Sequence, residues 1–369
     1  MSAAAHALEW QAAAAALIRA MPRHRMVGNG MQATDADELH AGVSAGAAWS
    51  EVAARLARRQ TRLAVEAMAV GDPVTAREKF LRAAACWSFG QIPLEDGPAK
   101  QAHYRSLVEA FGRAGALLDP PAEHVEVPWA GKSLRGWLLR PHGVVRPPVV
   151  MVLGGMDAWR EEYAAGAELV RDRGVALFLL DAPGQGETRV LGGLHLDRDV
   201  RLALSAAVDH VLADDRLGDR VAVWGNSMGG HLAALLAAQD PRIAACVVTG
   251  GTVTPSETHT RFPRFIGKVQ AMLGLQHDED AARSLMDGLA LDAETLSGLT
   301  CPLLVQHGKR DAVFKIANAR PIHDLAASTD KTWQEWADGD HCVDNHADEK
   351  YLEVARWLAP RLTGAPVPA

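Results

Sequence analysis

Two kinds of hydrophobic recurrence divide the chain. Over residues 1–120 apolar positions return every three to four residues, the spacing of one face of a helix. Residues 49–71 show it best, with Ala, Leu, Val and Met at helical intervals against Arg55, Arg58, Arg59, Arg62 and Glu66. Gly71-Asp72-Pro73 breaks that helix. A further one starts at Pro73, whose missing N–H costs nothing in a first turn. The joint has the look of a helical-repeat hairpin, but a single pair does not predict a solenoid. Asp119-Pro120-Pro121 then ends the helical block.

From Glu123 the period changes. Residues 124–129 and 134–140 alternate like a hairpin around Ala130-Gly131-Lys132-Ser133. Short apolar runs follow at 148–153, 175–180, 221–224, 243–249, 302–306 and 332–336, separated by helix-length segments. Continuous Val/Leu-rich runs alternating with helices predict an α/β fold, a mostly parallel sheet covered on both faces. Residues 262–296 are too long for a simple crossover and are expected to add helices near a lid formed with the N-terminal block. The expected organisation is an all-helical domain over 1–120, an α/β domain over 121–363 and a frayed tail over 364–369.

Composition narrows the function. The 369 residues are 48% hydrophobic and 22% charged, ordinary for a globular protein, and the formal charge of −7 leaves no basic footprint. Nucleic acid and anionic membranes are therefore excluded as expected partners. Cys86, Cys246, Cys301 and Cys342 lack paired spacing, which argues for reduced thiols and against a disulfide framework or structural zinc. The Ala-rich start lacks a basic leader, and Glu9, Trp10 and Gln11 interrupt any apolar core, so no export signal is read and a cytoplasmic location is expected.

Gly225-Asn226-Ser227-Met228-Gly229 carries the chemistry. The pentapeptide lies between an apolar strand and a helix-forming segment, the context of a nucleophile elbow. Flanking glycines let the backbone take a strained turn that lifts the serine hydroxyl above the sheet. A serine nucleophile needs a base, and the base needs an orienting carboxylate. In α/β-hydrolases these follow in the order Ser, Asp or Glu, His. Asp311 lies past the run 302–306, and His341 past the run 332–336. Both positions follow carboxyl ends of strands, where ligands bind in open parallel sheets. Ser227 is thus the candidate nucleophile, His341 the base and Asp311 its orienting acid. His307, Asp338, Asp340, Asp344 and His346 are competitors, with Asp344 and His346 expected in the following helix.

An oxyanion hole requires preorganised N–H donors, each worth on the order of 3–4 kcal/mol. Met228, after the nucleophile, supplies one candidate. Gly154-Gly155-Met156-Asp157-Ala158-Trp159, after the first parallel strand, offers the Met156 N–H as the other. Residues 180–187 lack the Lys-Ser/Thr ending of a phosphate-binding loop and read as a turn.

Taken with Asp181-Ala182-Pro183-Gly184-Gln185-Gly186-Glu187 and Gly339-Asp340-His341-Cys342, these motifs resemble the α/β-hydrolases with an N-terminal helical cap. That group holds the 2,6-dihydroxypseudooxynicotine hydrolases and fungal polyketide-shortening hydrolases, and the resemblance spans nearly the whole chain. It implies a cofactor-free and metal-free serine hydrolase acting on a carbon–carbon bond of an aromatic or polyketide-like ketone. Its small-molecule substrate would be a ketone or an ester, since an esterase, lactonase or acyltransferase would use the same residues. A ligand receptor on a hydrolase scaffold is a third reading, disfavoured because Ser227, Asp311 and His341 are all present. The resemblance further implies a homodimer. It also implies an extra acidic residue after the strand that follows the elbow helix, where Glu257 stands. Gly155, Trp159 and Glu257 are candidate substrate contacts; Trp10, His24, Trp49, Trp87 and Phe262 are candidate chamber walls.

Overall fold

The computed structural model describes residues 3–262 and 265–365, with residues 3–10 given by backbone alone. The side chain of Trp10 and residues 366–369 of the expected tail therefore lie outside the described residues. The chain forms two compact units, Met1–Leu118 and Asp119–Ala369.

The first unit is built of α1 (Ala3–Ala20), α2 (Arg23–Gly28), α3 (Ala33–Ser44), α4 (Trp49–Ala69), α5 (Pro73–Gln91) and α6 (Pro98–Gly115). In α4 the apolar stripe Val52, Ala53, Leu56, Ala57, Ala64 and Ala67 is buried, and the helix packs on α5. The joint is fixed by a side-chain cap: Asp72 accepts the Thr75 N–H at 3.0 Å, with Pro73 in the first turn. Trp49 is buried with its indole donating to the Phe89 carbonyl, and Trp87 meets His103 edge-on. Both tryptophans hold this unit together, whereas His24 is exposed.

The second unit is an eight-stranded sheet in the order β1-β2-β4-β3-β5-β6-β7-β8. Its strands are β1 (Glu123–Trp129), β2 (Lys132–Leu139), β3 (Val149–Leu153), β4 (Ala176–Asp181), β5 (Val221–Asn226), β6 (Ile243–Thr249), β7 (Leu303–Gly308) and β8 (Lys331–Trp336). β1 and β2 form the antiparallel hairpin, β2 runs antiparallel to β4, and the pairs from β4 through β8 are parallel. Every residue of β3, β4, β5 and β7 is buried, as strands covered on both faces require.

The helices of this unit are α7 (Ala164–Arg171), α8 (Gly186–Val190), α9 (Val200–Leu212), α10 (Met228–Gln239), α11 (Glu257–Arg261), α12 (Ile266–Leu273), α13 (Glu279–Asp287), α14 (Ala293–Ser297), α15 (Ile316–Leu325) and α16 (Ala347–Thr363). On one face Met151, Phe178, Val223, Val248 and Val305 share a core with α9 and α10. Burial of each such side chain contributes about 1.5–3 kcal/mol. Val269, Met272, Ala282, Met286 and Leu296 tie α12, α13 and α14 into the same core, so the long insertion is anchored to the body of this unit. On the other face α16 packs against α7, and Tyr351 meets Trp224 edge-on. Among the described residues no helix is long and apolar enough to cross a membrane.

Candidate active site

β5 ends at Asn226 and α10 begins at Met228, leaving Ser227 alone in the turn at φ 57°, ψ −120°. That left-handed conformation costs a residue with a side chain of order 1–3 kcal/mol, so the surroundings must enforce it. They do so through backbone bonds. The Ser227 N–H donates to the Thr249 carbonyl at 2.9 Å, and the Ser227 carbonyl accepts from Gly230 at 2.9 Å. Close packing sets the glycines: a Cβ on Gly229 would sit 2.6 Å from the Leu153 carbonyl oxygen. The serine hydroxyl is thereby held at the carboxyl end of the sheet.

β7 and β8 bring the other two groups to the same edge. The Ser227 hydroxyl lies 2.8 Å from His341 Nε2, and His341 Nδ1 lies 2.8 Å from Asp311 Oδ2. A carboxylate only accepts, which places the imidazole proton on Nδ1 and leaves Nε2 to accept from the serine. Asp311 is fixed from behind, since its Oδ1 accepts the N–H groups of Val313 at 2.7 Å and Phe314 at 2.9 Å. The Phe314 ring meets His341 edge-on at 5.6 Å.

The electrostatics agree with that arrangement. Burial alone would push the Asp311 carboxyl up, but the charge and hydrogen bond of His341 outweigh it and hold the carboxyl below its usual range. For His341 burial opposes the charged form, yet Asp311 raises its pKa well above the ordinary imidazole value. His307, fully buried 3.7 Å from Asp311, is kept neutral chiefly by burial, and its Nδ1–H donates to the Gly308 carbonyl.

The competing side chains are engaged elsewhere. Asp338 accepts from His346 at 2.9 Å, and Asp340 exchanges backbone–side-chain bonds with Asn345. Asp344 and His346 do not lie in the helix expected of them. They belong to a 3₁₀ turn, His341–His346, that precedes α16 because Cys342 and Val343 take left-handed φ values of 57° and 56°. Buried Lys350 stabilises this turn by binding the Asp344 carboxylate at 2.5 Å and the Cys342 carbonyl at 2.8 Å. Cys342 sulfur lies 3.6 Å from His341 Nε2, and all four cysteines are free.

The loop after β3 runs alongside the nucleophile. A Cβ on Gly155 would stand 3.2 Å from Ser227 Cβ and 3.5 Å from its hydroxyl oxygen. Replacement Gly155→Ala is expected to displace the serine and lower kcat on p-nitrophenyl acetate on the order of ten- to a hundredfold. Thermal stability should change little, and unaltered kcat would show that the contact is not tight. Met156 is half-buried in the core and Met228 is 1% exposed at the start of α10.

Two candidate substrate contacts have different surroundings from those expected. Trp159 is buried, and its indole N–H donates to the Met156 carbonyl at 3.1 Å, so it supports the loop from within. Glu257, at the head of α11, is 6% exposed. Its carboxylate accepts the Lys315 N–H at 2.9 Å and the Asn318 amide at 2.9 Å. It therefore braces the segment that follows Asp311.

Sequence reasoning missed the importance of residues 181–187. Asp181 Oδ2 accepts the Glu187 N–H at 2.7 Å, and fully buried Arg160 reaches Glu187 at 2.5 Å. His124 on β1 binds the same carboxylate at 2.8 Å. Burial raises the Asp181 pKa against the pull of Arg160. The motif itself was visible; its partners, scattered over β1 and the segment after β3, were not.

A family model described as serine aminopeptidase, S33, matches residues 146–283. A 2,6-dihydropseudooxynicotine hydrolase of Paenarthrobacter nicotinovorans is 29% identical over 321 residues, covering 84% of this chain and 83% of that protein. A 20-hydroxy-prefusarin hydrolase of Gibberella moniliformis is 35% identical over 316 residues, covering 72% of this chain and 74% of the other. The crystal structure of a 2,6-dihydroxy-pseudo-oxynicotine hydrolase superposes with a TM-score of 0.85 at 27% identity, covering 94% of this chain and 97% of that one. The chain belongs to the α/β-hydrolases. Within that fold it carries the N-terminal helical region of about 120 residues and is similar over most of its length to these hydrolases.

Proposed function

We propose that the protein is a serine hydrolase in which Ser227 attacks a substrate carbonyl, His341 acts as base and then acid, and Asp311 orients the imidazole. The observation that carries this reading is the pair of 2.8 Å contacts through which His341 joins Ser227 to Asp311. His341 Nε2 takes the hydroxyl proton as the serine oxygen bonds to the carbonyl carbon, and the oxygen's charge develops toward the N–H groups of Met228 and Met156. The protonated imidazole then gives its proton to the leaving group, producing an acyl-serine that water hydrolyses to free acid and serine.

The substrate class we propose is an aromatic or polyketide-like ketone cleaved at a carbon–carbon bond. Carbon leaves poorly unless its charge spreads into an adjacent carbonyl or phenol ring and a proton reaches it. His341, once protonated, is the group placed to deliver that proton. The similarity to a 2,6-dihydropseudooxynicotine hydrolase and a 20-hydroxy-prefusarin hydrolase supports this class. The test is turnover of the purified protein on a β-diketone and on p-nitrophenyl esters, with product acids identified by mass. Diketone cleavage that disappears in Ser227→Ala is the expected result. Ester turnover with intact diketone would retain the serine mechanism and assign the esterase reading instead.

A further inference from the structure

Gln185 is 1% exposed, and its side chain bonds to the backbone of Ala182, Gly154 and Gly155. Its Oε1 accepts the Ala182 N–H at 3.0 Å, which settles the orientation of the carboxamide. Its Nε2 then donates to two successive carbonyls in the loop after β3, Gly154 at 2.5 Å and Gly155 at 3.0 Å.

The peptide unit is planar and trans, so the Gly155 carbonyl and the Met156 N–H point in opposite directions from one rigid plane. Holding that carbonyl fixes the direction of that N–H. The same logic applies one plane earlier: with the Gly154 carbonyl held, the Gly155 N–H donates to the Ala158 carbonyl at 2.6 Å and closes the turn. One plane later, Trp159 holds the Met156 carbonyl at 3.1 Å. Consecutive glycines are where a peptide plane rotates with least steric resistance, so a loop aiming an N–H from this place needs an external hold. The turn carrying Gln185 is itself rigid, braced by Asp181 on the Glu187 N–H and by the Thr188 hydroxyl on the Asp181 carbonyl at 2.8 Å.

We propose that Gln185 is a positioning residue for the oxyanion hole: by gripping the Gly154 and Gly155 carbonyls it keeps the Met156 N–H directed at the charge that develops beside Ser227. The inference rests on the reading of Ser227 as nucleophile and Met156 as donor.

The test uses Gln185→Leu and Gln185→Met in the full chain. Each replacement fills most of the glutamine's volume and removes both its donor and its acceptor. Turnover of p-nitrophenyl butyrate is measured per active site titrated with a fluorophosphonate, so that partial unfolding does not imitate a loss of rate. Both variants should lose on the order of a hundredfold in kcat, the scale of a missing oxyanion donor, with KM little changed. Affinity for a trifluoromethyl ketone, which forms an oxyanion on Ser227, should fall in parallel with kcat/KM. The acid limb of the pH profile should stay in place, because the His341–Asp311 pair is untouched. A merely structural role predicts a lower melting temperature with kcat per titrated site at the wild-type value in either variant, and that result overturns the proposal. Wild-type turnover that survives Ser227→Ala is a separate outcome, removing the serine mechanism rather than the role of Gln185.

Discussion

Ser227→Ala is expected to lower kcat by on the order of 10⁶-fold, the scale seen when a serine hydrolase loses its nucleophile, with the protein keeping its fold. The side chain makes one described side-chain hydrogen bond, to His341 Nε2, and the backbone bonds that hold the elbow do not involve the hydroxyl. Removing the oxygen therefore deletes the attacking atom with little structural cost. The residual rate should resemble the background of a binding site with an intact oxyanion hole. Steady-state kinetics and a thermal melt on the same preparation decide it: a loss below a hundredfold with an unchanged melt would remove Ser227 from the reaction.

Asp311→Asn is expected to produce the second largest effect, a fall in kcat/KM on the order of 10⁴-fold with a changed pH profile. The direction follows from the two shifts. Asp311 is held ionised and raises the His341 pKa, so the imidazole is protonated over a wider range of low pH than a free one. A protonated imidazole cannot accept from Ser227, so kcat/KM rises with pH through that raised value. Asparagine removes the attraction and leaves burial, which lowers the pKa, so the acid limb should move to lower pH as the plateau drops. It also lets the ring take the wrong tautomer, because an amide can donate to Nδ1 as well as accept from it. A profile that keeps its wild-type acid limb and plateau would take the orienting role away from Asp311.

The parts of the fold that were legible are those set by local pattern. Valine-rich runs such as β3 and β5 read as buried strands because both their faces are covered, so no polar alternation interrupts them. The elbow was readable because sterics at Gly225 and Gly229 leave a signature in the sequence itself. Asp311 and His341 were readable from order and strand-end placement, since topology brings the ends of β7 and β8 to one edge. What stayed hidden depends on long-range pairing. Arg160, Glu187 and His124 form one cluster across three separate segments, and no local periodicity reports it. No local pattern around Glu257 reports its burial, which comes with the approach of Lys315 and Asn318 to its carboxylate. The left-handed Cys342–Val343 pair, unusual for residues with side chains, turned an expected helix start into a 3₁₀ turn.

The most direct test of the account is to expose the protein to a fluorophosphonate and locate the adduct by peptide mass spectrometry, for wild type and His341→Ala side by side. A single phosphonyl group on Ser227, formed quickly in wild type and at least a hundredfold more slowly without the imidazole, is what a histidine-activated serine predicts. An adduct on another residue, or equal labelling of the two proteins, would contradict it.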